Sequence, residues 1–599
     1  MKLTNLKINN FRGIDEIEIN VQDITTLIGQ NNCGKSSILR AVQLLCNNVS
    51  PELEEFKNKN HELPIEIIGT FEDIQEWERH TPGVAGLISE NRIVLRYTAT
   101  VEDLSKEKVE KEYDVYKKTE TITGWAESWS DITNDIKELA VGIGITTAAH
   151  FRTSANKEKI RVEIREKRAD LITQGDYEWT NENVSIGPAL QQALPKAILI
   201  PAVRDASDET KAGKTAKSAF GELINQLILP KIKFLPEYAA IQVALDQLEL
   251  KMSNPEALPE VQAVNEQITK RLKDLIPVES KLTLSDPDLD SALMTSVGIR
   301  IADGVHATPV HLQGHGLQRT LIFTLLEIIA ERNAASGEAD RKNTIILFEE
   351  PELYMHPQML RKLKRILFDI SNQKHWQVVC STHSPFLIEV DQNPMSLIIL
   401  RKHPETKVVS KSQLDKNPFP DGPDVEIEKE ALRAALDFHP TVSEVFFSTG
   451  AVLVEGDTEV ALLRHCPTLL NAVGIDLQVA TDTTIISCGG KWTIPAIARL
   501  LKAFGIPFKV VHDMDRKGLT DAQLKEVLPI HPFKANEKIA GIAGAGNVLV
   551  NEDTIEHLWK GDSSTAKPYN AVKTVATIIE KGELDNFPKL KQFVEFCFR

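Results

Sequence analysis

The sequence predicts a multidomain α/β protein, and three observations carry that prediction. Residues Gly29 to Ser36 read Gly-Gln-Asn-Asn-Cys-Gly-Lys-Ser, a complete phosphate-loop pattern set between a short apolar strand and a helix. A later apolar run, Thr344-Ile345-Ile346-Leu347-Phe348, ends in Glu349-Glu350. Two more, Val452-Leu453-Val454 and Phe508-Lys509-Val510-Val511-His512, run into Glu455 and Asp513. Apolar runs ending in functional groups are expected of parallel strands buried on both faces, whose C-terminal ends carry ligands.

With 599 residues the chain exceeds a single core, and ordinary domain sizes divide it into roughly three to five units. Hydrophobic residues make up 42% and charged residues 26%, as in average soluble domains, and no apolar run approaches the ~20 residues of a membrane span. A soluble protein with no membrane partner is expected. The start, Met1-Lys2-Leu3-Thr4-Asn5-Leu6-Lys7, alternates like a strand and lacks the apolar core of a signal peptide. Six cysteines (Cys33, Cys46, Cys380, Cys466, Cys488, Cys597) form no C-x-x-C pair, which argues against a zinc ribbon or disulfide framework and for the cytoplasm. The net charge of -16 speaks against a coat protein that binds nucleic acid by bulk charge. It does not exclude a nuclease, because carboxylate-lined metal sites themselves add negative charge.

Along the chain, Leu6 and Ile8, then Ile17, Ile19 and Val21, alternate on either side of Phe11-Arg12-Gly13, giving a β-rich opening. Ile24 to Ile28 is a buried-strand pattern, and Ile38, Leu39, Val42 and Leu45 recur at helical spacing behind the phosphate loop. Residues 65 to 180 contain strand-like stretches, Ile65 to Phe71 and Arg92 to Ala99, but no recognisable chemistry. From Lys211 to Pro277 the pattern becomes helical, suggesting an inserted helical unit, either a dimer contact or packing on its own domain. Residues 405 to 440, rich in Pro and charge, read as a linker passing into a helix, Glu426 to Leu436. The expected domains are thus an ATPase N-terminal part (1–205), a helical insertion (206–280), an ATPase C-terminal part (281–404), the linker (405–440) and a second α/β unit (441–599).

In the phosphate loop, Gly29 and Gly34 let the backbone wrap so that amides face the phosphates, Lys35 supplies a cation and Ser36 reaches magnesium. Asn31, Asn32 and Ser37 are further nucleotide-binding candidates. By analogy with a Walker B strand, Glu349 would position magnesium and Glu350 would polarise the attacking water. Ser381-Thr382-His383-Ser384 closes another apolar strand, and His383 stands where a γ-phosphate sensor is needed. Between these motifs, Gln313-Gly314-His315-Gly316 opens an apolar helix, Leu321 to Ile329.

That glycine segment resembles the signature of ABC-type ATPases, with Gln313 where serine is usual. Together with Phe11-Arg12-Gly13, Glu349-Glu350-Pro351-Glu352 and Thr382-His383-Ser384, it resembles the RecF/SMC/Rad50 group. The resemblance implies head-to-head pairs in which Gly314 and Gly316 of one subunit complete the ATP site of the other.

In the second α/β unit, Glu455 and Glu459 flank a glycine turn at Gly456, which would let the chain reverse so that the two carboxylates converge. Asp513 and Asp515 would share one side if the strand continued through them. Four hard oxygen ligands suit Mg2+ or Mn2+, and paired ions of this kind support phosphodiester hydrolysis. The two motifs in this order resemble a Toprim domain. An ABC ATPase followed by a Toprim domain resembles the OLD (overcoming lysogenization defect) nuclease family, which includes the nuclease subunit of Gabija antiphage systems. Gly489-Gly490-Lys491 fits the same pattern. The resemblance implies further metal ligands at Thr554 and Glu556 and a phosphate-stabilising lysine at Lys567, with Lys573 second.

The expected function is therefore an ATP-binding, Mg2+- or Mn2+-dependent DNA endonuclease in antiphage defence, acting as a homodimer or higher oligomer, with a helicase encoded alongside as a candidate partner. The alternative is an ATP-switched, DNA-sensing scaffold with an inactive Toprim domain, which the intact carboxylate set disfavours. A topoisomerase would need a further domain bearing a nucleophilic tyrosine, and a primase a zinc motif.

Overall fold

The computed structural model describes the chain except residues 82, 105–107, 182–187, 203–218, 253–298, 303–305, 337–341, 391, 420–422, 439, 517, 529–530, 553 and 560–567. The chain forms two compact units: Met1–Ala197 with Asp340–Glu352 and Pro357–Arg599, and Ile198–Ala339 with Leu353–His356.

The first unit opens with strands β1 (Lys2–Phe11), β2 (Ile14–Asn20) and β3 (Ile24–Gly29), followed by the helix Lys35–Asn47. Next come β4 (Ile65–Glu72), β5 (Ile93–Asp103), β6 (Lys108–Ile122) and β7 (Ile172–Thr180). These strands, apart from β3, form an antiparallel sheet in the order β2-β1-β4-β5-β6-β7. Burial alternates along β4, as expected where one face covers a core and the other meets solvent. The stretch between β6 and β7 builds a small core of its own around Ile136, Phe151, Ile160 and Ile164, with Trp125 and Trp129 against Phe151.

At β8 (Lys196–Ile200) the chain passes into the second unit. There the helices Ala219–Lys233 and Pro236–Met252 precede a short antiparallel pair, β9 (Arg300–Ala302) and β10 (Ala307–Pro309), and the helix His315–Ser336. The remainder of the expected helical stretch, residues 211–218 and 253–277, lies outside the described residues.

Back in the first unit, β11 (Thr344–Glu349), β12 (Trp376–Ser381), β13 (Leu397–Lys402) and β14 (Val409–Gln413) join β3 in the order β14-β13-β3-β12-β11. The pairs β11/β12, β12/β3 and β3/β13 are parallel. Every residue of β3 and β12 is buried, so these strands can only be the centre of a sheet covered on both faces. The register Glu349↔Ser381 and Ser381↔Leu27 aligns the ends of the three strands that carry the ATP-site motifs.

The final four strands, β15 (Ala451–Val454), β16 (Thr484–Ser487), β17 (Phe508–Asp513) and β18 (Val548–Asn551), form an all-parallel sheet in the order β16-β15-β17-β18. Residues 405–440, read as a linker entering a helix, contribute β14, paired antiparallel with β13, and the helix Pro423–Phe438. Leu414, Phe419, Val425 and Leu432 anchor this segment in one apolar core that runs from Ile28 and Ile399 of the β3 sheet to Leu453 and Val510 of the C-terminal sheet. Ser412 adds a hydrogen bond to the Phe504 carbonyl at 2.7 Å. The prolines and charges of this stretch mask apolar anchors too widely spaced to show a period. Among the described residues no helix is long and apolar enough to cross a membrane.

Candidate functional site: an ATP loop and a buried carboxylate centre

At the phosphate loop, Gly29 has φ 146° and a Cβ there would stand 2.2 Å from the Leu400 carbonyl oxygen, so only glycine fits against β13. Gly34 (φ 97°) caps the helix Lys35–Asn47, which starts with Lys35, Ser36 and Ser37. Asn31 and Asn32 complete the loop before this helix, and Asn32 is itself left-handed at φ 62°. Lys35 is buried, its Nζ donating to the Gly29 carbonyl at 2.9 Å and the Gln30 carbonyl at 3.0 Å. This ammonium lies within the loop that would wrap a phosphate chain.

Glu349 ends β11, and Glu350 follows with φ 44°, its amide donating to the Ser381 carbonyl at 2.9 Å. Its Oε1 lies 3.5 Å from His383 Nε2. The two residues expected as water-polarising base and phosphate sensor are thus neighbours at the ends of β11 and β12. Glu352, not singled out as a site residue, holds the His383 backbone: its Oε1 accepts from the His383 amide at 2.6 Å, while its Oε2 is buried without a hydrogen-bond partner. In the second unit, exposed Gly314 immediately precedes the helix His315–Ser336, and a Cβ on Gly314 would meet nothing within 4 Å. Gly316 is closer packed, its Cβ position 3.0 Å from the Tyr354 carbonyl oxygen. Leu312, Leu317 and Tyr354 are exposed around this helix start.

In the C-terminal sheet, β15 has β16 on one side and β17 on the other, a switch in strand order that opens a crevice at the carboxyl ends. Glu455 follows β15, Glu459 stands in the first turn of the helix Asp457–His465, and Asp513 ends β17. The Asp513 amide donates to Glu455 Oε2 at 3.2 Å, joining the two acidic motifs directly. Burial, reinforced by the neighbouring Asp515 and Asp513, pushes the Glu455 carboxyl up to about 7. Burial, with Asp513, Glu455 and Glu556 nearby, pushes Glu459 up to about 8. Asp513 rises to about 6, again mainly through burial, despite a 3.0 Å hydrogen bond from Asn551 Nδ2.

Two expectations about backbone conformation are corrected. Gly456 is extended (φ -146°, ψ -174°), a conformation open to any residue, so the convergence of Glu455 with Glu459 comes from the helix start rather than from a glycine reversal. The strand ends at Asp513, and Asp515 is left-handed at φ 56°, so the pleat does not align the two aspartates. Instead Asp515 Oδ2 lies 2.7 Å from the Nζ of Lys491, whose side chain is 1% exposed.

Glu556 sits half-buried in the short helix Ile555–Trp559, within electrostatic range of Glu459 and Asp513. Thr554 is exposed and its hydroxyl pairs with His557 Nδ1 at 3.2 Å. Lys567 lies outside the described residues, and Lys573 is exposed. Among the described residues no three His, Cys, Asp or Glu side chains converge to hold one ion as they stand. The chemistry of the donor set nonetheless fits a hard divalent cation. Glu459 is buried and Glu455 and Asp513 half-buried, and neighbouring carboxylates add to burial in raising the proton affinity of all three, an excess of negative charge that such an ion would neutralise. Glu455, Glu459, Asp513 and Asp515 would hold it, with Glu556 at the edge. Lys491 stood out in the sequence only beside two glycines, and Asn551 gave no sequence signal.

Residues 1–388 match the family described as AAA ATPase domain. The chain belongs to that family. Residues 446–515 of this AAA ATPase match the overcoming lysogenization defect protein-like TOPRIM domain, so the β15–β17 crevice lies in a Toprim domain behind the ATPase domain. The chain is 22% identical to the OLD nuclease of Thermus scotoductus (strain ATCC 700910 / SA-01) over 96% of its length and 95% of that protein. It is 22% identical to the Old nuclease of Escherichia phage P2 over 86% of its length and 77% of that protein. Similarity at 21% identity to Endonuclease GajA of Bacillus cereus (strain VD045) covers 78% of this chain and 67% of that one.

Proposed function

We propose that the chain is an ATP-binding, divalent-metal-dependent DNA endonuclease in which an ABC-type ATPase, working as a homodimer, governs a Toprim active centre, and that it serves antiphage defence. The observation that carries this reading is the convergence of buried Glu459 with half-buried Glu455 and Asp513 at the carboxyl end of a parallel sheet, the Asp513 amide donating to Glu455 Oε2. Relatives named as nucleases span nearly the whole chain and support it. Residues 1–205 and 281–404 would form the ATPase, 206–280 a dimerising insertion and 441–599 the nuclease, joined through 405–440.

Bound Mg2+ or Mn2+ would supply activated water and stabilise the leaving oxygen of a phosphodiester. The protein's own part is to fix the carboxylates: the Asp513 amide holds Glu455, Asn551 holds Asp513, and burial keeps bulk water from screening them. Lys567 remains the proposed cation for the pentavalent phosphate, and Thr554 and Glu556 the additional ligands. At the ATP loop, Glu349 and Ser36 would hold Mg2+, with Glu350 as base and His383 as sensor. Gly314, exposed at a helix start and ringed by exposed Leu312, Leu317 and Tyr354, suits contact with the nucleotide of a second copy.

Supercoiled plasmid incubated with the protein, with and without Mn2+, Mg2+ and ATP, tests the reading. Metal-dependent nicking or linearisation that Glu455→Ala abolishes, with ATP binding intact, is expected. Cleavage retained by Glu455→Ala would overturn the site, and no cleavage by the wild type under any condition would favour the scaffold.

A further inference from the structure

Lys491 belongs to neither acidic motif, yet the loop that carries it touches both. The Gly490 amide donates to the Glu455 carbonyl at 3.2 Å, and Lys491 Nζ reaches the carbonyl of Asp513 and, at 2.7 Å, Oδ2 of Asp515. The turn it holds needs holding. The strand stops at Asp513, and Asp515 sits in a left-handed conformation that residues with a Cβ rarely adopt. Asn536 Nδ2 donates to the Met514 carbonyl at 2.9 Å, the Met514 amide donates to the Asn551 carbonyl at 2.9 Å, and Asn551 Nδ2 donates to Asp513 Oδ1. Every residue of the turn Asp513-Met514-Asp515 is therefore held by a hydrogen bond, and Lys491 supplies a cationic support.

We infer that Lys491 is a positioning residue of the metal centre: its ammonium locks the Asp513-Met514-Asp515 turn and reserves one oxygen of Asp515, so that this carboxylate meets an ion through its other oxygen alone. The inference rests on the metal reading of the same site. A buried ammonium beside a cation site repels the cation, so it weakens binding unless the geometry it imposes outweighs that repulsion. Supports of this kind typically change metal affinity by about 10- to 100-fold when removed.

The sign of the effect distinguishes the two roles. Mn2+ binding is measured without DNA or ATP, by the electron paramagnetic resonance signal of free Mn2+, for the wild type, Lys491→Met, Asp515→Asn and the double variant. Lys491→Met is expected to bind the weaker Mn2+ about tenfold less tightly or worse, and adding it to Asp515→Asn is expected to cause a smaller loss than it causes alone. Affinity equal to or above wild type in Lys491→Met, or independent losses in the double variant, would overturn the inference. Should Lys491→Met not fold, Lys491→Gln, which keeps an N–H for the Asp513 carbonyl, is read in its place. Failure of both to fold would also overturn it, because the role would then be to hold the domain rather than the turn. A wild type that binds no Mn2+ would instead remove the metal reading on which the inference stands.

Discussion

Glu350 and His383 face each other at 3.5 Å across the ends of two neighbouring parallel strands, and Glu352 ties the His383 backbone to the same corner. A carboxylate base and an imidazole so placed would act on the same terminal phosphate. Glu350→Gln should retain ATP binding and lower ATP turnover by about 10²-fold or more, measured by phosphate release. Turnover within a few-fold of wild type would remove Glu350 from the role of base.

Lys35 donates to two loop carbonyls from within the phosphate loop. Lys35→Ala should cost ATP affinity about 10- to 100-fold through lost charge-assisted hydrogen bonds, with a nearly unchanged melting temperature. Titration calorimetry on the metal-free protein decides it, and unchanged affinity would mean that the loop does not hold the phosphates.

The carboxylate centre makes metal-free stability depend on pH. The folded-state values of Glu455 (about 7), Glu459 (about 8) and Asp513 (about 6) lie above those of the unfolded chain. Between the unfolded and folded values the folded state binds more protons, so stability falls as pH rises. In chelator the melting temperature should therefore drop from pH 5 to pH 8, and Glu459→Gln should flatten that slope. A slope identical in Glu459→Gln would show that Glu459 is not raised.

Glu428 has no exposed side-chain surface and meets Arg499 at 2.9 Å and Lys538 at 3.5 Å. Removing one partner of a buried ionic group leaves the others uncompensated, so Glu428→Ala should destabilise by about 3–5 kcal/mol, read by urea unfolding. A change below about 1 kcal/mol, the range of exposed pairs, would show that the triad is solvated in solution.

The sequence exposed the parallel strands and their terminal carboxylates because continuous apolar runs and acidic ends are local signals: β3, β11, β15 and β17 lie where the runs stand. It could not expose what depends on contacts between distant segments. Lys491 acquires meaning only when β16 lies beside β15 and its loop reaches the end of β17, and Asn551 only when β18 pairs with β17. The reading of Asp513 and Asp515 as one pleated face failed because strand periodicity stops where a hydrogen-bonded turn takes over. Residues 65–180 stayed silent because an antiparallel sheet interrupted by a helical excursion carries no motif.

The apolar core that runs beneath β14 has a mechanical meaning. A hinge requires a stretch whose side chains can exchange neighbours at little cost, yet Leu414, Phe419, Val425 and Leu432 are all locked between the two sheets. Bending there would expose each of them to water, at about 1.5–3 kcal/mol for a large apolar side chain. The β3 sheet and the carboxylate centre therefore turn as one stiff body.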